Sequence, residues 1–181
     1  MIRRFWIFSL VVTVSISSCK KSSNGGGNPP PTPTPTNTFT NPLLSSGPDP
    51  WIVKQGNAYY YTHTLGDRIA IWKTTKVSDL RNVTPQTIWS APATGPDSKE
   101  VWAPEIHFIN NKWYAYYAAD DGNNANHRMF VLENSSADPL TGTWVSKGKI
   151  SDASDKWAID GTVLDYNNQL YFVWSGWEGN T

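Results

Sequence analysis

Three carboxylates stand at similar places in the sequence and could act together in catalysis. They are Asp49 in the stretch GPDPW, Glu105 in WAPE and Asp160 in WAIDG, each just before a predicted strand. Where two acids face one pocket, one can protonate the leaving oxygen of a glycoside while the other activates water or attacks carbon. Pro-Asp-Pro and Asp-Gly are also ordinary turn sequences, so the spacing alone leaves a purely structural role open.

Aromatic side chains are abundant around these acids. The chain has 10 Trp and 8 Tyr among 181 residues, and flat, partly polar rings suit both sheet cores and stacking against the apolar faces of sugars. Trp102, Trp157 and Trp177 are therefore open to either role. The composition points to a carbohydrate ligand without establishing one.

Other classes of site have little support. The formal net charge is zero, which removes the attraction that dominates nucleic-acid binding, so no nucleic-acid partner is expected. No P-loop, dinucleotide fingerprint or Ser-His-Asp pattern is present, and we expect no organic cofactor. The polar loop 120–124 could hold a structural calcium ion, but it lacks the regular spacing of a calcium loop, which favours a solvated turn. The three histidines have unrelated spacings, at His63, His107 and His127.

An all-β repeat must position the acids. Beyond residue 41, apolar and polar residues alternate with period two between Gly, Asn, Asp and Pro clusters, and no long stretch has a helical period. Three segments align as strand, polar turn and strand: PWIVKQGNAYYYT from 50, PEIHFINNKWYAYYA from 104 and GTVLDYNNQLYFVW from 161. Their turns recur about every 55 residues, a spacing that predicts the four-stranded blades of a β-propeller.

The predicted blades bring the acids to one place. The third and fourth strands are expected at 68–77 and 87–90 in blade one, and at 128–133 and 143–149 in blade two. Blade three begins at Trp157 and completes one hairpin near Ser175. The innermost strands of a propeller line its axis, so the acids should face one end of a central channel. Residues 41–181 would supply about two and a half blades, and we expect a truncated propeller.

The first forty residues predict export and tethering. Arg3 and Arg4 precede a short apolar run, and ISSC at 16–19 resembles a bacterial lipobox, which predicts a signal peptide at 1–18 and a lipidated Cys19. The run is shorter than the roughly 20 apolar residues of a spanning helix. Residues 19–40, rich in Gly, Ser, Pro and Thr, predict a disordered linker. We expect a lipid anchor in the bacterial cell envelope, on the outer membrane.

Four motifs in order resemble glycoside hydrolase family 43: GPDPWIVK from 47, EVWAPEIH from 100, NHRMFVLE from 126 and WAIDGTVL from 157. The resemblance runs from about residue 41 to 181 and implies a five-bladed β-propeller. It implies that Asp49 is the general base of an inverting hydrolysis and that Asp160 orients the general acid and raises its pKa. The family's general acid is a glutamate in a later blade. No position here matches its motif, so we expect the chain alone to be inactive.

Within the family, WAPEIH, NHRM and FVWSGWEG most resemble α-L-arabinofuranosidases that act from chain ends on arabinan or arabinose-decorated plant polysaccharides. β-Xylosidases and endo-arabinanases share the scaffold, and a non-catalytic surface glycan-binding protein is the competing class. Glu178, the last acid, is expected in a pocket-rim or loop role rather than as proton donor. The residues that we predict to contact substrate are Trp102, Glu105, His63 and Trp177.

Overall fold

The computed structural model describes residues 38–177. The predicted signal peptide, Cys19, nearly all of the linker and Glu178 lie outside the described residues. Within them the chain is built of β-strands, with two short 3-10 helices at Val77–Asn82 and Asn124–Asn126. None of these described helices is long and apolar enough to cross a membrane.

Ten strands form two sheets and a hairpin. The sheets are antiparallel, in the orders β1-β2-β3-β4 and β5-β6-β7-β8, and the hairpin pairs β9 with β10. The predicted all-β class and blade repeat are confirmed in the described residues. The strands are β1 (Trp51–Gln55), β2 (Ala58–Thr62), β3 (Arg68–Thr74), β4 (Gln86–Ser90), β5 (Lys99–Ile109), β6 (Lys112–Asp120), β7 (Arg128–Asn134), β8 (Val145–Ile150), β9 (Ala158–Tyr166) and β10 (Gln169–Gly176).

Predicted and observed strand ends differ in β3, which was expected to reach residue 77 and stops at Thr74. The Thr74 hydroxyl accepts a hydrogen bond from the backbone N–H of Lys76, 3.1 Å away. A side chain that bonds to the backbone two residues on offers the chain an alternative to strand pairing. The strand therefore ends there, and the 3-10 helix begins at Val77.

The first strands of the three units lie side by side, with β5 in contact with both β1 and β9. A buried cluster between the two sheets is built around Trp113 and Tyr117, both fully buried. The indole N–H of Trp51 in β1 donates to the carbonyl of Ile106 in β5 at 2.8 Å. Deleting a core aromatic such as Trp113 typically costs about 3–5 kcal/mol, so this cluster fixes how the two blades meet.

The hairpin turns match the predicted polar turns. Asn110 and Asn111 have φ of 50° and 63°, and Asn167 and Asn168 have φ of 53° and 60°. Two successive residues with positive φ form the tight turns that suit the twist of antiparallel strands, and Asn tolerates this conformation better than most residues. These turns set the far end of each innermost strand.

A second left-handed residue marks the near end of each innermost strand. Asp49, Ala103 and Asp160 have φ of 51°, 42° and 53°, and each lies seven residues before the first turn residue of its hairpin. The three positions are therefore structurally equivalent. The predictions that Glu105 and Asp160 precede their strands are wrong. β5 begins at Lys99, because the segment before Pro104 already pairs with β6 through two register shifts, and β9 begins at Ala158.

We predict that Gly161→Ala destabilises the packing of the β9-β10 hairpin. A Cβ at this position would lie 2.4 Å from Cζ of Phe172 and 2.7 Å from Cε of Met129. Overpacking of this kind should lower the free energy of unfolding by about 1–3 kcal/mol, measured by denaturant unfolding. Gly56→Asn is the control, because a Cβ there meets nothing within 4 Å and Asn accepts its φ of +60°. An unchanged midpoint for Gly161→Ala would contradict this packing.

Candidate active site

Asp49 lies on the exposed loop that precedes β1. The register of the first hairpin pairs Trp51 with Thr62, so the loop after β2 runs back beside the loop before β1. There the backbone N–H of Thr64 donates to the carbonyl of Pro48 at 3.0 Å, and the Thr64 hydroxyl donates to Oδ2 of Asp49 at 2.6 Å. The carboxylate is thus tied to its own blade by one short hydrogen bond.

The same hydroxyl reaches the second blade. The backbone N–H of Ala103 donates to Oγ1 of Thr64 at 2.7 Å. Nearby, Gly66 and Val101 exchange backbone hydrogen bonds of 3.2 and 3.0 Å. Thr64 therefore joins Asp49 to the start of the β5 segment that carries the other site residues. No sequence pattern marks Thr64, because nothing separates it from the other threonines of this blade.

Asp160 occupies the equivalent left-handed position near the start of β9. The residue is exposed as a whole, yet partial burial of its carboxyl group raises its pKa, and the negative charges of Asp49 and Glu105 raise it further. Such coupling requires the three acids to lie near one another. The predicted convergence of these carboxylates at one end of a central channel stays a prediction, and this mutual influence is consistent with it.

Glu105 lies within β5, near enough to influence Asp160, and is held by a histidine. Its Oε2 lies 3.0 Å from Nε2 of His107, and both side chains are largely buried. The His107 ring packs against Trp51 and Tyr116, with centroids 4.8 and 5.6 Å apart. This packing fixes the imidazole and, through it, one oxygen of Glu105.

Trp102 lies on a buried histidine. Its ring stacks on His127 with centroids 4.0 Å apart, and its indole N–H donates to Oε2 of Glu100 at 3.0 Å. His127 is fully buried, with Nδ1 3.0 Å from Oδ2 of Asp120 and Nε2 3.2 Å from the carbonyl of Glu100. Spacing alone did not distinguish His127 from the other histidines; its burial beneath Trp102 does.

The carboxylates of the polar loop after β6 accept hydrogen bonds from other residues of that loop. Oδ1 of Asp120 accepts the N–H of Gly122 at 2.8 Å, and both oxygens of Asp121 accept from the side-chain amide of Asn126 at 3.0–3.1 Å. No group of three metal-ligating side chains occurs within residues 38–177. The loop is thus arranged by hydrogen bonds among its own members.

A pair of tryptophans stands at the two ends of the β9-β10 hairpin, next to a cavity that none of the three acids lines. The rings of Trp157 and Trp177 stack face to face, 4.1 Å apart and within 8° of parallel. The indole N–H of Trp157 donates to the carbonyl of Asn124 at 2.9 Å, and Trp177 remains 39% exposed. A cavity of about 430 Å³ adjoins the pair and is lined also by Ser151, Asp152, Ser154 and Lys156. Aromatic faces beside polar groups suit a sugar ring.

His63 is buried among aromatic residues of blade one. It is only 4% exposed, stacks on Trp72 with centroids 4.7 Å apart, and packs against Tyr61 at 5.5 Å. Burial lowers its pKa, which favours the neutral ring that this apolar packing needs. The structure does not bring His63 together with the acids, and its contact with substrate stays a prediction.

Comparisons with known proteins agree with the family resemblance of the sequence. Glycosyl hydrolases family 43 matches residues 39–181. An extracellular exo-α-(1→5)-L-arabinofuranosidase of Streptomyces avermitilis is 40% identical over 142 residues, covering 76% of this chain and 30% of that protein. α-L-Arabinofuranosidase 43 of Humicola insolens is 33% identical over 175 residues, covering 95% of this chain and 34% of that protein. The chain thus spans about a third of the length of these relatives.

The crystal structure of an α-L-arabinofuranosidase from Lactobacillus brevis is also similar, with a TM-score of 0.73 and 32% identity, over 77% of this chain and 47% of that one. This similarity agrees with the β-propeller fold that the family resemblance implies. Because the family match covers most of the chain and includes all three acids, this chain belongs to glycosyl hydrolases family 43.

Proposed function

We propose that the protein is an exo-acting, inverting α-L-arabinofuranosidase that removes arabinose from arabinan or arabinose-decorated plant polysaccharide. The observation that carries this proposal is the electrostatic influence of Asp49 and Glu105 on Asp160, which indicates that the three acids lie near one another. The names of the relatives support arabinose as the sugar. Because the chain spans about a third of those relatives, the proposal concerns the activity of the whole protein.

Asp49 is the proposed general base. Its Oδ2 is engaged by Thr64, whereas Oδ1 makes no hydrogen bond within residues 38–177 and is open to accept one from water. That water loses a proton to Asp49 as its oxygen bonds to the anomeric carbon, and the bond to the leaving oxygen breaks. The leaving oxygen takes its proton from a general acid, which we propose to be a glutamate of a later blade.

Asp160 is the proposed partner of that acid. Its carboxyl is partly buried beside two other acids, and a negative charge close to a second carboxyl raises the pKa of the second group. An acid tuned in this way stays protonated near neutral pH until it delivers its proton. Glu105, with one oxygen on His107, keeps the other for a sugar hydroxyl.

The aromatic groups are proposed to hold the sugar chain. Trp102 is supported on one face by His127 and offers the other to the arabinose beside the acids. Trp177, stacked on Trp157 next to a cavity of about 430 Å³, would take a sugar beyond the cleaved bond. Stacking on rigid rings positions a substrate without requiring charged groups.

The proposed location is the bacterial cell surface or periplasm. Two relatives from Streptomyces are called extracellular, which supports export. The lipobox resembles those of lipoproteins, so we propose that Cys19 carries a lipid that anchors the protein to the outer membrane. The residues 19–40 would then be the tether between that anchor and the propeller.

We predict that Asp49→Asn in the whole protein lowers kcat by about 10³-fold or more, because the amide cannot take a proton from water. Release of arabinose from linear arabinan and from an aryl α-L-arabinofuranoside is the measurement. Asp67→Asn is the control, since Asp67 is an exposed aspartate of the same blade whose carboxylate pairs with Arg68. A wild-type protein that binds arabinan without cleaving it would establish the glycan-binding alternative. Preference for an aryl xyloside would establish a xylosidase.

We predict that Asp160→Asn raises the melting temperature at pH 7 by about 1–3 °C. The raised pKa of Asp160 means that the folded state binds this proton more tightly than the unfolded chain. Stability is therefore lost as the pH rises from the unfolded value, about 3.9, through the folded one. The gain should vanish near pH 3, where both states are protonated.

The matched control for this stability test is Asp152→Asn. Hydrogen bonds from Ser154 lower the pKa of Asp152, so its ionised form stabilises the fold at neutral pH and its loss should lower the melting temperature there. Equal shifts of the melting temperature in the two variants at pH 7 would contradict the burial and charge repulsion that raise the pKa of Asp160.

We predict that Trp177→Ala raises KM for arabino-oligosaccharides by about 10-fold, which corresponds to the loss of one sugar–aromatic contact. KM for an aryl arabinofuranoside, which has no second sugar, should change little. Tyr166→Ala is the control, because Tyr166 is an exposed aromatic residue at the far end of β9. Equal KM changes for both substrates would place Trp177 outside the proposed sugar contact.

A further inference from the structure

We propose that Thr64 is a positioning residue that aims Asp49 at the attacking water. The inference rests on the proposed role of Asp49 as general base. The Thr64 hydroxyl lies between two groups, 2.6 Å from Oδ2 of Asp49 and 2.7 Å from the backbone nitrogen of Ala103. It is therefore placed where the two blades and the catalytic carboxylate meet.

The backbone fixes the direction of this hydroxyl. An amide N–H can only donate, so the N–H of Ala103 occupies a lone pair of Thr64 Oγ1. The single hydroxyl proton is then free to point to Asp49, whose Oδ2 must accept it. One carboxylate oxygen is held and the other, Oδ1, faces away from this bond. A base that uses one oxygen for water needs this division of its two oxygens.

Asp49 has little else to hold it. It is exposed, and within residues 38–177 its side chain makes no hydrogen bond or ion pair other than that with Thr64. An exposed aspartate samples several rotamers, and each departure from one geometry removes the alignment of base, water and carbon. Thr64 is thus the group that restricts this carboxylate.

The two hydrogen bonds of the Thr64 hydroxyl, here called the clamp, also set the position of Asp49 relative to the other site residues. Ala103 follows Trp102 and lies two residues before Glu105 in β5. Through Ala103, the hydroxyl fixes the distance between Asp49 in blade one and these two groups in blade two. A displacement of about 1 Å at such a contact can lower a rate about 100-fold.

The test measures hydrolysis of an aryl α-L-arabinofuranoside by the whole protein. It compares a Thr64 variant that lacks the hydroxyl with one that keeps it. Thr64→Val keeps the shape of threonine and lacks the donor, and we expect kcat to fall about 10- to 100-fold with KM changed less than about 2-fold. Thr64→Ser keeps the donor and should retain kcat within about 3-fold. Thermal unfolding is measured in parallel.

Two further variants separate positioning from folding. If Thr64→Val unfolds at the assay temperature, Thr64→Ser and Thr64→Ala replace the pair, because both lack the methyl group and only serine has the hydroxyl. Adding Thr64→Val to Asp49→Asn should cause no further loss of kcat, since the group it positions is gone. A general structural defect would lower both backgrounds equally.

The outcomes distinguish this inference from the proposed function. Wild-type protein that releases no arabinose overturns both. Active wild-type protein with kcat unchanged in Thr64→Val, or lowered equally in Thr64→Ser, overturns the role of Thr64 and leaves the glycosidase intact. A loss in Thr64→Val that serine restores and that disappears beside Asp49→Asn supports the clamp.

Discussion

The site depends on one backbone constraint, a left-handed residue seven positions before the turn of each innermost hairpin. Asp49, Ala103 and Asp160 share this conformation and this spacing. Such a residue costs of order 1–3 kcal/mol when it is not glycine. Aspartate tolerates it better than alanine, and the alanine is the one held by Thr64 and flanked by the backbone bonds between Gly66 and Val101. Contacts between blades therefore offset strain where it is greatest.

The same geometry gathers negative charge. The pKa of Asp160 is raised by burial and by its two neighbouring acids, which means that the fold would be more stable without this charge. Proteins commonly retain such local strain where a function requires it. Next to Trp102, the buried contact with Asp120 holds the imidazole of His127 in position. The site thus combines three acids with the stacked rings of Trp102 and His127.

Much of this arrangement could be predicted from the sequence. The Asn-Asn turns and aromatic strands repeat locally, so they reveal the blades, and Asp49 and Asp160 stand in motifs that mark the family. Glu105 was expected just before its strand, because the proline before it concealed that β5 extends back to Lys99. Thr64 could not be found, since its partners lie 15 and 39 residues away. Such partners are set by packing of blades rather than by local pattern.

The most direct measurement is the anomeric configuration of the first sugar that the whole protein releases. It can be followed by ¹H NMR during hydrolysis of an aryl α-L-arabinofuranoside, before the sugar mutarotates. A water activated by Asp49 attacks from the face opposite the leaving group, so we expect the β-anomer to accumulate first. If the α-anomer appears first, a carboxylate has formed a covalent bond to the sugar, and the assignment of Asp49 as a base is contradicted.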